Sequence, residues 1–267
     1  MGAPVRRLTF FECEGARLAA SLDEGHASTG LLIVSGGSEI RSGAHGGMAA
    51  LAARVAGKGF AAFRYDRRGI GDSDGMDRGF SESLPDMAAA AAAFRALCPG
   101  LARIVAFGNC DAATALALHH RAAGIDALIL ANPWVVEPSQ GLPPPAAIRR
   151  RYREKLFSVA GWKQLLTLQF DLSKIIKGLR GAAAGGHKEL AARMAASLDG
   201  GTAPLTVVLA EGDATAIAFE DAWKRAMFDN ARARAHVFRV PTRSHSFAKS
   251  EDEERLTGAV LEALARQ

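Results

Sequence analysis

The sequence predicts an α/β fold, a mostly parallel sheet flanked by helices and carrying a helical insertion, and three observations carry that expectation. Short runs rich in β-branched and apolar residues alternate with Ala-rich amphipathic stretches, the rhythm of a parallel sheet covered on both faces. A chain of 267 residues, 49% hydrophobic and 23% charged, is long and apolar enough to bury a large core as one α/β unit. After the fourth strand-like run, Asn132-Pro133-Trp134 leads into Pro143-Pro144-Pro145, a break that opens a separate excursion.

The elements follow in order. Residues 6–22 alternate well enough for an antiparallel hairpin at the sheet edge. Residues 31–35, 61–65, 103–107, 127–130, 205–209 and 235–239 are brief apolar runs of the kind that form buried strands. Between them, residues 45–58, 83–97, 112–123, 218–228 and 251–265 repeat apolar positions every three and four residues and read as helices. The stretch 133–201 reads as a helical cap inserted into a core formed by residues 1–132 and 202–267. Its expected place is over the C-terminal ends of the strands, where open α/β sheets bind ligands.

The chemistry concentrates where a strand enters a helix, Phe107-Gly108-Asn109-Cys110-Asp111-Ala112. A nucleophile carried on so tight a turn needs small residues two before and two after it, and Gly108 and Ala112 meet that need. At this point the chain resembles the α/β-hydrolase superfamily, with Cys110 in the position usually held by serine. A thiol there is sound chemistry, because a thiolate beside a histidine or a helix N-terminus is a strong nucleophile. The plainer alternative is a small buried cysteine.

In that superfamily the chain order is nucleophile, acid, histidine, and Cys110, Asp213 and His245 follow it, each after a strand-like run. Asp213 would orient the imidazole, and His245 would take the thiol proton and later activate water. Asp221 and Glu211 are the weaker acid candidates. Alone, either a loop histidine or a loop aspartate is usually a solvated polar residue; the joint placement is the signal. The turn Ser35-Gly36-Gly37-Ser38 follows the first core strand, where the superfamily supplies half of its oxyanion hole. Gly37 or Ser38 is the expected donor there, and the N–H of Asp111 the other. Trp134, Phe157 and Trp162 are candidates to line an acyl pocket.

The segment Asp66-Arg67-Arg68-Gly69-Ile70-Gly71-Asp72-Ser73 is similar to the D-x-R-G-x-G-x-S loop of the same superfamily. It is not a dinucleotide site, since no third glycine opens a helix after it. Taken with VSGGSEIRSGAHGG, FRYDRRGIGDS, FGNCDAATAL and ALILANPWV, the chain resembles the exosortase A system-associated hydrolases. That resemblance implies a bacterial hydrolase in an exopolysaccharide setting without naming its substrate.

Hydrolysis of an ester or thioester through an acyl-cysteine leads the readings. Acyl transfer, lactone opening as in the dienelactone hydrolases, and a catalytically silent binding protein are the alternatives. Three cysteines at irregular spacing fit neither a disulfide framework nor metal knuckles, so a reducing, cytoplasmic compartment is expected. His45, His119, His120 and His187 lack metal-ligand spacing, and no metal or cofactor is expected. The net charge of +5 comes with no nucleic-acid motif, which argues against that partner. Much of the excess lies between Arg149 and Lys188. Such a run is most often a solvated helix face; the alternative is contact with an anionic substrate, an acyl carrier or a membrane surface.

Overall fold

The computed structural model describes residues 5–135 and 186–267. The chain divides into two units, Met1–Trp134 with Arg193–Gln267, and Val135–Ala192. Most of the insertion expected over 133–201, with Phe157 and Trp162, lies outside the described residues.

The first unit is built on one eight-stranded sheet: β1 (Arg6–Cys13), β2 (Ala16–Asp23), β3 (Thr29–Val34), β4 (Ala62–Tyr65), β5 (Arg103–Asn109), β6 (Ala127–Ala131), β7 (Leu205–Ala210) and β8 (Ala235–Val240). Their spatial order is β1-β2-β4-β3-β5-β6-β7-β8. The β1–β2 hairpin joins β4 antiparallel, and every later pairing is parallel. Every residue of β3, β4, β6 and β7 is buried, which is why these strands read as continuous apolar runs instead of alternating ones.

The helices of the described residues are α1 (Gly47–Ala56), α2 (Leu84–Leu97), α3 (Asp111–His119), α4 (Gly186–Asp199), α5 (Ala214–Trp223), α6 (Asp229–Arg234) and α7 (Ser250–Ala265). On one face of the sheet Leu31, Ile33, Val105, Phe107, Ile129 and Val208 form a single cluster with Leu51 and Val55 of α1 and Leu256, Val260 and Leu264 of α7. On the other, the Phe63 ring stacks on Phe94 of α2 with centroids 5.4 Å apart. Glu251, Asp252 and Glu253 open α7, where the helix dipole favours negative charge.

The sequence-based bounds shift by one to five residues at most helix and strand ends. The helix expected over 218–228 begins four residues earlier, at Ala214, because Asp213 caps it by accepting a hydrogen bond from the Ala216 N–H at 3.1 Å. It stops at Trp223, and a separate 3₁₀ turn covers Ala226–Phe228. β5 runs two residues beyond the expected end, to Asn109, so strand and elbow meet without a linker. The short α6 was not expected at all.

Candidate active site

The elbow is strained as its sequence requires. Cys110 stands between β5 and α3 with φ 62° and ψ −125°, a left-handed conformation costly for any residue but glycine. Gly108 permits the turn: a Cβ there would lie 2.8 Å from the Ala112 carbonyl carbon and 2.9 Å from the Ala113 nitrogen. Cys110 is half-buried, at the N-terminal end of α3. The other two thiols are held in their protonated form. Burial and the neighbouring Asp86 push Cys13 up to about 11, and burial raises Cys98.

Asp213 and His245, 32 residues apart in sequence, meet in space: the His245 Nδ1 lies 3.0 Å from Asp213 Oδ2. Asp213 is buried, while the His245 side chain is 41% exposed. Partial desolvation pulls the imidazole towards its neutral form. The hydrogen bond to Asp213 and the nearness of the Cys110 thiol outweigh it and lift His245 to about 10. The weaker acid candidates take no part in this contact. Asp221 pairs with Arg225 on the surface of α5, and Glu211 sits in the turn after β7 with its N–H bonded to Val240.

Of the two donors expected in the oxyanion turn, Gly37 and Ser38, the structure commits one elsewhere. Gly37 N–H is already committed, donating to both carboxylate oxygens of Asp111 at 2.8 and 3.0 Å. That carboxylate sits so close beneath Gly36 that a Cβ on Gly36 would lie 2.4 Å from Asp111 Oδ1. Ser38 N–H has no acceptor among the described residues. The N–H of Asp111 is among the first of α3 and has no acceptor within the helix. The buried Arg67 donates to the Gly37 carbonyl, so the turn is held from both sides. Arg67 thus gives the Asp66–Ser73 loop a bracing role at the site. Asp66, fully buried, accepts from the Asp72 N–H at 3.1 Å, and its carbonyl accepts from Ser73 Oγ at 2.7 Å.

Two residues that sequence reasoning passed over complete the arrangement. Asn109 and Asn132 both donate through Nδ2 to the main-chain carbonyl of His245, at 3.1 and 3.3 Å. A side-chain amide gives no sequence signal of such a role. The positive φ of Asn132, 40°, is tolerated by Asn better than by most residues, yet it too shows only in the fold. Trp134 is brought beside the elbow through its backbone: its N–H donates to the Cys110 carbonyl at 3.2 Å, and its carbonyl accepts from Thr114 Oγ1 at 2.5 Å. Glu39 also faces the site. Partial desolvation raises its carboxyl above the ordinary range, with His245 opposing and Asp111 adding to the effect. A cavity of about 20 Å³ touches Ser35, Glu39, Asn109, Ser246 and Phe247, room for one water and too small for an acyl chain.

Residues 28–216 match the hydrolase family described as "Serine aminopeptidase, S33". The chain belongs to that family. It is an α/β hydrolase, and in this chain a cysteine, Cys110, stands at the turn from β5 into α3. Among solved structures it is similar to an esterase of Pyrococcus furiosus (TM-score 0.66, 14% identity, covering 99% of this chain and 91% of that one). It is also similar to a lidless α/β serine hydrolase of Xanthomonas campestris (TM-score 0.61, 14% identity, 98% and 94%). A dienelactone hydrolase of Anabaena variabilis is similar too (TM-score 0.63, 12% identity, 99% and 99%). At these identities the likeness is one of fold. No curated protein matches the chain by sequence. No helix among the described residues is long and apolar enough to cross a membrane.

Proposed function

We propose that this hydrolase cleaves an ester or thioester through Cys110, His245 and Asp213 with a covalent acyl-cysteine intermediate. The observation that carries the reading is the 3.0 Å contact between His245 and Asp213 beside a cysteine in strained elbow geometry. The Cys110 thiol gives its proton to His245 as its sulfur attacks the acyl carbon, and the carbonyl electron pair moves to oxygen, stabilised by the N–H groups of Asp111 and Ser38. Collapse expels the alcohol or thiol, which takes its proton from His245. A water molecule then adds to the thioester with His245 accepting its proton, and the acid departs as the thiol is restored. Asp213 holds the imidazole with Nδ1 turned away from the sulfur.

Trp134, held by its backbone beside the Cys110 carbonyl, is read as contacting the acyl group, and the segment 133–201 as a cap over the site. The motifs from VSGGSEIRSGAHGG to ALILANPWV support placing the substrate in an exopolysaccharide, exosortase-linked setting. Three free cysteines fit a reducing cytoplasm.

The test is release of nitrophenol and thiol from a graded series of acyl esters and thioesters, with intact-mass detection of acylated Cys110. Wild-type turnover that disappears in Cys110→Ala, with a mass adduct on the wild type alone, is the expected result. Undiminished turnover by Cys110→Ala would overturn the assignment.

A further inference from the structure

The ends of three parallel strands meet at one side-chain amide, that of Asn132. Asn109, the last residue of β5, directly precedes Cys110, and its Nδ2 donates to the His245 carbonyl at 3.1 Å. Asn132, one residue past the end of β6, donates to the same oxygen at 3.3 Å and to Asn109 Oδ1 at 3.1 Å. The Asn132 Oδ1 in turn accepts from the N–H of Ala210, the last residue of β7, at 2.9 Å. Ala210 also accepts, through its carbonyl, from the Asp213 N–H at 3.0 Å. A single carboxamide, fully buried, therefore touches the strand before the nucleophile, the strand before the acid and the loop of the histidine.

We infer that Asn132, with Asn109 as its partner, is a positioning residue that sets the distance between the His245 imidazole and the Cys110 sulfur. The chemistry of the side chain is specific to the task. An amide offers a donor on one side and an acceptor on the other, which the His245 carbonyl and the Ala210 N–H demand in opposite directions. A carboxylate has the same shape but no donor; an aliphatic residue has neither. Two donors on one carbonyl oxygen leave the peptide little freedom to rotate, and the imidazole moves with its own backbone. A displacement of about 1 Å at such a point lowers catalytic rates on the order of 10²-fold.

The inference rests on the acyl-cysteine reading, so the experiment reads the cysteine apart from turnover. Asn132→Asp keeps shape and the Ala210 contact while removing the donor; Asn109→Ala removes the second donor at a half-buried position that tolerates truncation. For wild type and both variants, three quantities are measured: kcat and KM on an active ester, the rate of Cys110 alkylation by iodoacetamide near pH 6, and the His245 titration by NMR. Both variants are expected to lose kcat about tenfold or more at nearly constant KM and to alkylate more slowly, and Asn109→Ala, which adds no charge, to titrate His245 lower than the wild type. Asn132→Asp is expected to be the more severe. Variants that melt earlier yet keep wild-type alkylation and titration overturn the positioning role. A wild-type Cys110 that alkylates no faster than it does in His245→Ala overturns the acyl-cysteine reading itself, and the inference with it. Should Asn132→Asp fail to fold, Asn109→Ala decides alone by the same readings.

Discussion

The imidazole of His245 is the most strongly displaced group of the site, and its displacement has a sign. In the folded chain it titrates at about 10 against an ordinary value of 6.5. A proton bound more tightly in the folded state stabilises that state. The contribution is fully present below about 6.5 and is lost as the pH climbs through about 10. Asp213→Asn removes the first of the groups that hold the proton. Its His245 titration is expected below that of the wild type, and its melting temperature is expected to decline less between neutral and alkaline pH. Equal declines in thermal unfolding followed across that range would exclude His245 as the source. At this scale the placement of Cys110, Asp213 and His245 after β5, β7 and β8 was legible because positions at strand ends are restrictive. Asn109 and Asn132 were not, because an amide carries no such signature and acts only through partners that the fold supplies. The commitment of Gly37 to Asp111 was hidden for the same reason: it is a contact between residues 74 apart.

At the scale of the element, the β5–α3 turn concentrates the structural demands. Gly108→Val would drive a side chain into the backbone of Ala112 and Ala113, which must shift to admit it. Overpacking of this kind costs about 1–3 kcal/mol, and here it also moves the sulfur. Chemical denaturation is expected to show that loss, together with a fall in kcat far larger than the stability change explains. A variant with lost stability and intact kcat would mean that the elbow relaxes without moving Cys110. The central strands were readable because burial on both faces leaves them mostly apolar residues. Helix starts were less readable. Asp213 was taken for an acid alone, but it is also the cap of α5, and the same carboxylate oxygen serves the Ala216 N–H and His245. One residue with two uses misplaced the boundary by four positions.

For the molecule as a whole, the antiparallel hairpin is riveted to the parallel sheet by buried charge. Arg64 of β4, 2% exposed, pairs with Asp23 of β2 at 3.3 Å, and Arg6 of β1 reaches the other oxygen of Asp23 at 2.7 Å. Burial depresses the Arg64 proton affinity and Asp23 opposes that, so the carboxylate is what keeps the guanidinium tolerable inside. Asp23→Ala leaves a buried charge without its partner and is expected to cost about 3–5 kcal/mol by denaturant titration, with the elbow chemistry of the surviving folded fraction unchanged. A loss below about 1 kcal/mol would show that water or Arg6 rearrangement compensates. The alternation of strand and helix and the switch of direction at the hairpin were visible in the sequence. After β6 the sequence shows only a break in that rhythm, since proline and charge mark where a chain departs from a sheet and not what it builds. The Asn109 bond to His245 spans 136 residues of chain. During synthesis, then, Cys110 leaves the ribosome long before Asp213 and His245 have been made. On the proposed acyl-cysteine reading, the newborn chain would carry its thiol unaided until Asp213 and His245 fold in beside it.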